Sequence, residues 1–465
     1  MVFSEPVFMF MFLPVTLLVY YAVPFRFKNA VLFLSGLLFY SWGEPVYVFI
    51  MILSTLIDYL AGIIMDRFDG NQKIRKTALI VSVIMNLSLL GIFKYSGLLV
   101  DSVNSLFSLS LRNPNLPLPI GISFFTFQSM SYTIDLYQKN IKVQKSFINF
   151  AAFVTMFPQI VAGPIVRYED VSKELVSRKI DVDAISNGIS VFICGLCKKV
   201  LIANSVGELW TTIKETDYTS LPAATAWLGI AAFTLQIYFD FSGYSDMAMG
   251  LGKMLGFNFP KNFDYPYNSN SVSEFWRRWH ITLGAWFKSY VYFPLGGSRN
   301  KKSITIRNLL IVWFLTGLWH GASWNFVIWG LYYGVLLILE KFVFSPIIKK
   351  LPAVVTRIYT LLAVIIGWVI FEISSPADEI SFIGAMFGAS GEIFNTFTLN
   401  MIHNYAIIIF VAIVISTGFS LKLWKKITCG KRTDGLCILG EAIGFIACIA
   451  YLADASYNPF LYFNF

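Results

Sequence analysis

Thirteen stretches dominated by apolar residues recur along the chain, at about 7–24, 30–42, 45–65, 77–99, 118–135, 148–165, 186–206, 222–250, 304–318, 322–340, 352–372, 404–423 and 435–453. A helix that crosses the hydrocarbon core of a bilayer needs roughly 20 such residues. In that solvent only helices or closed barrels satisfy their own backbone polar groups. The pattern predicts an all-α polytopic membrane protein. Composition agrees, since 56% of the 465 residues are hydrophobic and 14% are charged, against about 25% charged in soluble domains. No polar stretch is long enough to form a soluble domain. The stretches at 30–42 and 304–318 are short for a simple crossing, as expected of broken, tilted or re-entrant helices around a protein-lined cavity.

The formal net charge of +9 raises nucleic acid or an acidic polymer as a partner. The Lys and Arg residues fall in short loops between apolar stretches, which is the positive-inside bias of membrane topology, and nucleic acid is not expected. Arg26 and Lys28 follow the first stretch, and Arg67, Lys73, Arg75 and Lys76 follow the third. Lys422, Lys425, Lys426, Lys431 and Arg432 separate the last two. These loops are expected in the cytoplasm, with the hairpin at Ser41–Pro45 and the segment Asp454 to Phe465 outside. The first apolar run lacks a small-residue cleavage site and is expected to be retained. Cys194 and Cys197 form a C-x-x-C inside an apolar run without the βαβ context of a redox fold, and read as small apolar residues.

Two of the three histidines have unusual settings. His320 closes the apolar run from Ile311 and precedes Gly321-Ala-Ser-Trp-Asn-Phe. An imidazole at membrane depth is costly and by default faces the protein interior with a function. Its ordinary pKa of about 6.5 suits a general base acting on a hydroxyl; the plainer alternative is a histidine that only hydrogen-bonds two helices together. His280 ends Glu274-Phe-Trp-Arg-Arg-Trp-His. At helical spacing Trp276, Trp279 and His280 share one side, with Arg277 and Arg278 on another, as in an interfacial helix. Arg277, Arg278, Lys288 and the loop Arg299–Lys302 concentrate positive charge where an anionic donor such as coenzyme A or a phosphopantetheine carrier could be drawn; ordinary positive-inside charge explains it as well. His403 sits at a span edge with no companion motif and is expected to be structural.

Asp240 and Asp246 lie six residues apart within an apolar stretch. Six residues turn a helix by roughly 600°, so the two carboxylates do not share a face. Each is expected to be hydrogen-bonded in the bundle or to balance a buried cation. Zincin, P-loop and nucleophile-elbow motifs are missing from the sequence, and neither a metal nor a bound cofactor is expected. The chain ends in the aromatic, uncharged Asn458-Pro-Phe-Leu-Tyr-Phe-Asn-Phe. Such an end can dock at a membrane interface. Yet Tyr462 lies eight residues beyond Asp454, a reach of roughly 27 Å against about 15 Å from interface to mid-bilayer. A buried histidine is within its range.

Pro119-Ile-Gly-Ile-Ser-Phe-Phe-Thr-Phe-Gln, Met156-Phe-Pro-Gln-Ile-Val-Ala-Gly-Pro-Ile-Val-Arg, Asp240-Phe-Ser-Gly-Tyr-Ser-Asp, Phe275-Trp-Arg-Arg-Trp-His-Ile-Thr-Leu and Leu318-Trp-His-Gly-Ala-Ser-Trp carry a resemblance. Over almost its whole length the sequence resembles the membrane-bound O-acyltransferases (MBOAT), in particular the AlgI-like alginate O-acetyltransferase branch. The resemblance implies a ring of about 11–13 transmembrane and re-entrant helices, with a cytoplasmic donor funnel meeting an outer acceptor funnel. It implies one MBOAT domain over 1–465, with N-terminal helices at 1–135, a motif-bearing core at 136–345, C-terminal helices at 346–453 and an extracellular tail at 454–465. His320 is similar to the family's catalytic histidine, and His280 to the second position beside it. The tail from Phe460 is similar to the F-I-Y-x-x-F end that relatives use as an acyl shuttle through its tyrosine, here Tyr462.

The implied function is O-acetylation of an extracellular or periplasmic polysaccharide from a multi-pass protein of the plasma membrane. The donor is expected to be acetyl-CoA or an acetylated carrier protein. An SGNH-type esterase/transferase on the outer side is the expected partner. His320 is expected to take the proton of Tyr462 as its oxygen attacks the thioester, with His280 stabilising charge on the carbonyl oxygen. A D-alanyl transferase acting on teichoic acids is the nearest alternative. A transporter without covalent chemistry is the alternative from another class, since it too uses broken helices and buried polar residues.

Overall fold

The computed structural model describes residues 1–161, 163–299, 301–419, 434–454 and 457–461. The basic loop from Lys422 to Arg432 and the predicted shuttle residue Tyr462 lie outside the described residues. Every regular element among the described residues is a helix. Seven of these are long and apolar enough to cross a membrane: Val48–Arg67, Gln72–Phe107, Val182–Lys214, Trp324–Ile348, Ala353–Glu372, Thr396–Ser416 and Gly435–Asp454. Leu399, Ile407, Phe410, Leu439 and Ile446 are exposed on the last two, an apolar surface that water does not favour and lipid does. The chain is a multi-pass, all-α membrane protein.

Other apolar stretches fold as shorter or more polar helices, among them Phe8–Ala22, Phe25–Gly43, Ile122–Tyr137 and Lys302–His320. The stretch expected at 148–165 is not one span. Its helix Phe147–Thr155 stops at Met156, whose ψ is 110°, and a single turn Phe157–Ile160 follows with Pro158 near its start. Proline has no N–H to extend the preceding helix and its ring clashes with the carbonyl four residues earlier, whereas near the start of a new turn it is tolerated. Gln128 donates to the carbonyl of Phe153, at 2.8 Å, near this break.

The helices group into two compact units, Met1–Phe192 with Tyr244–Lys261, and Ile193–Gly243 with Asn262–Phe465. In the first, Asp58 is fully buried on Val48–Arg67. It accepts hydrogen bonds from Asn86, at 2.9 and 3.0 Å, and from Ser82, both on the following helix. Ser82 in turn reaches Thr133 of Ile122–Tyr137, at 3.2 Å. Burying a carboxylate is costly unless its oxygens are hydrogen-bonded, so this cluster fixes the relative register of three helices.

The second unit is organised by the hairpin of Lys302–His320 with Trp324–Leu339. The two backbones approach as closely as side chains permit. A Cβ on Gly317 would lie 2.3 Å from the carbonyl oxygen of Phe326, and one on Gly330 would lie 2.3 Å from that of Trp313. Helices in lipid gain most from such packing through small residues. Asn325 then donates to the carbonyl of Phe371, at 3.0 Å, and Tyr332 to that of Ala363, at 2.8 Å, which adds the helix Ala353–Glu372. Gly330→Ala is expected to destabilise the protein by about 1–3 kcal/mol, the usual cost of overpacking. The check is thermal unfolding in detergent, where an unchanged Tm would contradict the close approach.

Candidate active site

His320 is the last residue of its helix, and the chain turns extended at Gly321. Its side chain is buried among aromatic rings, with centroids 4.9 Å from Trp329, 5.1 Å from Trp319 and 5.5 Å from Phe371, all edge-on. A narrow cavity of about 20 Å³ opens beside it, lined by Ile237, Asp240, Phe241, Trp279, His320, Trp329, Trp368, Phe371 and Leu461. The Gly317–Gly330 contact sits one turn before His320, so the hairpin packing sets where the imidazole stands.

His280 does not continue the helix that the spacing predicts. The helix Val272–Arg278 ends before Trp279, which is extended at φ −103°, ψ 129°, and His280 adopts a left-handed conformation at φ 45°, ψ 53°. Trp276, Trp279 and His280 therefore do not form one helical stripe, and His280 and Trp279 are buried rather than interfacial. A non-glycine residue in this region costs about 1–3 kcal/mol and needs surrounding structure to hold it. Asn262 supplies that hold. Its carbonyl accepts from Ile281 N–H at 2.9 Å, and its side-chain oxygen accepts from the backbone and hydroxyl of Thr282 at 3.3 and 2.9 Å.

The same side-chain oxygen lies 3.1 Å from His280 Nδ1. Thr282 N–H can only donate, so the Asn262 atom facing it is oxygen, and Nδ1 must carry the proton that bridges to it. In the neutral ring Nε2 is then an acceptor, and it is buried without a hydrogen-bond partner among the described residues. His280 packs against Phe241 and Trp319, with centroids at 4.7 and 5.7 Å. Trp319 thus touches both histidine rings.

The start of Val272–Arg278 is fixed by Glu340, a buried carboxylate of the helix Trp324–Ile348. It accepts from Val272 N–H at 2.6 Å, Ser273 N–H at 2.8 Å and Ser273 Oγ at 2.7 Å. Of the predicted cationic cluster, Arg278 is held by Glu274 at 2.7 Å and Arg277 is exposed. Lys288 lines a second, larger cavity, of about 180 Å³, together with Trp276, Trp279, His280, Leu283, Tyr292, Trp313 and Thr316. Trp279 lines both cavities.

Asp240 balances a buried cation, as its setting predicts. Its Oδ1 lies 2.8 Å from Lys199 Nζ, and both side chains are 3% exposed. Asp246 is half-buried and belongs to the other compact unit. Lys199 occupies a π-helical turn, Lys198–Ala203, a widened geometry common at functional sites. The chain end returns to this pair. Leu461 N–H donates to Asp240 Oδ2 at 2.9 Å, Lys199 donates to the carbonyl of Pro459, and Asn204 donates to Asn458 at 3.2 Å. Lys199, Asn262 and Glu340 were not singled out by sequence. A lysine and a glutamate inside apolar runs carry the intramembrane-charge signal, whereas Asn262 carries none.

Residues 34–375 match the profile of the MBOAT, membrane-bound O-acyltransferase family. The chain is 40% identical to a probable alginate O-acetylase AlgI of Pseudomonas syringae pv. tomato, over 84% of this chain and 75% of that protein. It is 32% identical to a peptidoglycan O-acetyltransferase of Helicobacter pylori, over 100% of this chain and 98% of that protein. A teichoic acid D-alanyltransferase of Bacillus subtilis is more distant, at 27% identity over 53% of this chain and 65% of that protein. A family match over most of the chain, running through both buried histidines, places it: this protein belongs to the membrane-bound O-acyltransferase family.

Proposed function

We propose that this protein is an O-acetyltransferase of the plasma membrane. In this reading it takes an acetyl group from a cytoplasmic thioester, acetyl-CoA or an acetylated carrier protein, and delivers it for O-acetylation of an extracytoplasmic polysaccharide. The observation that carries the reading is the returning chain end: Leu461, directly before Tyr462 in sequence, lines the cavity that holds His320. The acetylating relatives support acetyl over D-alanyl transfer, because they match most or all of the chain at higher identity. Family membership leaves the transporter alternative without support.

The phenolic oxygen of Tyr462 attacks the thioester carbonyl carbon while its proton passes to His320. A C–O bond forms, the C–S bond breaks, and the imidazolium returns the proton to the departing thiolate. The proton that His320 takes up is thus returned within the same turnover. The phenol of the resulting ester has a pKa of about 10, so the ester remains an acyl donor to the serine of an SGNH-type partner on the outer side. The thioester approaches through the cavity that Lys288 lines, where the ammonium attracts phosphate groups of coenzyme A or phosphopantetheine.

The protonation of His280 on Nδ1 changes its expected role. A neutral ring with a bare Nε2 cannot donate to a carbonyl oxygen, so it does not serve as an oxyanion donor. It accepts instead, and the pantetheine arm of the donor offers amide N–H groups to a residue that lines the Lys288 cavity. Asn262 and Thr282 are the positioning residues that set this tautomer.

After incubation with an acetyl donor and no partner, intact-mass spectrometry of the C-terminal peptide is expected to show one added acetyl group on Tyr462. His320→Ala and Tyr462→Phe are expected to abolish it at normal expression. An unmodified tail in an enzyme that still acetylates polymer with its partner would remove the tyrosine relay. His280→Ala is expected to raise the donor KM about 3- to 10-fold, the worth of one neutral hydrogen bond, at little changed kcat. A fall in kcat at constant KM would restore a charge-stabilising role.

A further inference from the structure

The buried pair Lys199–Asp240 is satisfied by the chain's own end. Charges removed from water are tolerated when their remaining protons and lone pairs find partners. Lys199 donates to Asn204 Oδ1 at 2.9 Å and to the carbonyl of Pro459. Asp240 accepts from Leu461 N–H. Both tail groups are backbone, and Pro459 itself has no N–H to compete. Three side-chain contacts fix the register upstream. Tyr457 OH lies 3.1 Å from Thr211 Oγ1 and accepts from Gln236 Nε2 at 3.3 Å, and Asn458 accepts from Asn204. Phe460 is buried between the two clamped residues.

We infer that Lys199 and Asp240 form a clamp that keeps residues 457–461 docked beside His320 throughout the catalytic cycle. They are positioning residues, and acyl carriage is confined to the chain beyond Leu461. The opposite polarities of the two charges read the tail in one direction only: the cation takes a carbonyl, and the anion takes an N–H two residues later. The backbone bonds fix direction, and the side-chain contacts of Tyr457 and Asn458 fix the register that sets Leu461 in the cavity beside His320. The docking stands on the contacts alone; its consequence for acyl transfer rests on the proposed Tyr462 relay.

The test uses the full-length protein in detergent with an untagged C-terminus and two readouts. The first is digestion by a carboxypeptidase with no donor present, read by intact mass. Wild-type protein is expected to resist trimming past Leu461. The double variant Lys199→Met/Asp240→Leu, which replaces the ion pair by apolar groups of similar size, is expected to keep its Tm while its tail is trimmed further. The second readout is the rate of acetyl addition to Tyr462, expected to fall on the order of 100-fold in that variant through misplacement of the nucleophile. Leu461→Pro removes the N–H that Asp240 accepts without touching the helices, and is expected to fall well below Leu461→Ala, which keeps it.

A wild-type tail trimmed freely past Leu461 would overturn the clamp whatever the fate of the relay. Equal protection and equal acetylation in the double variant would overturn it as well, as would equal rates for Leu461→Pro and Leu461→Ala where Tyr462 of the wild-type protein is acetylated. A protected tail that the double variant exposes, with no acetyl on Tyr462 in either protein, would establish the clamp and remove the relay.

Discussion

A backbone N–H or C=O that has left its helix inside a bilayer must find a partner within the protein, because no water is there to provide one. This chain leaves the helix repeatedly in its apolar regions, and at several such places among the described residues a buried polar residue meets the backbone. Gln128 takes a carbonyl near the break at Met156. Glu340 takes the amides of Val272 and Ser273. Asn262 takes those of Ile281 and Thr282, and Lys199 and Asp240 take the groups offered by Pro459 and Leu461. Irregular backbone is what lets side chains converge from different directions, and these supports are what make irregular backbone affordable at depth.

The chemistry proposed for the site is built from those supports. Asn262 holds a strained residue in place and, with the same oxygen, decides which nitrogen of His280 carries a proton. Glu340 fixes the short helix that delivers Trp276 and Trp279, and Trp279 walls both cavities. His320 depends instead on close packing, since Gly317 and Gly330 bring two helices together and Trp329 and Phe371 then confine the ring. Asn262 thus orients one histidine, and the helix hairpin confines the other. Substitutions near them should separate accordingly, with tautomer and binding effects around His280 and displacement effects around His320.

Much of this was legible in the sequence where a residue type is costly in lipid. His320 in an apolar run points to function without any structure, and Asp240 points to a buried counterion. The helices followed from apolar length, although the stretch at 148–165 needed Pro158 to be weighed against its hydrophobicity. Other features were not legible because they belong to geometry. The spacing Trp276–His280 has a helical period, but the helix ends at Arg278, and the tertiary bonds of Asn262 override the local pattern. Lys199 lies in an apolar run where a charge is costly, but Lys198 beside it carries the same signal, and only the partners of Lys199 tell the two apart. An asparagine such as Asn262, in a polar loop, has no signal until the backbone it satisfies is known.

The ion pair at Lys199 and Asp240 is not accounted for by stability. Two buried charges gain from each other little more than they lose on leaving water, and a well-packed apolar pair is commonly as stable or more so. Methionine and leucine at these positions would still pack the two helices together. What such a pair cannot do is meet the carbonyl of Pro459 and the amide of Leu461, which would then be buried with nothing to bond, at a cost of about 1–3 kcal/mol each. The tail would leave the cavity sooner than bear that cost. The charges therefore matter for what they hold rather than for each other: they make a site beside His320 in which an extended chain end is more favourable than open space.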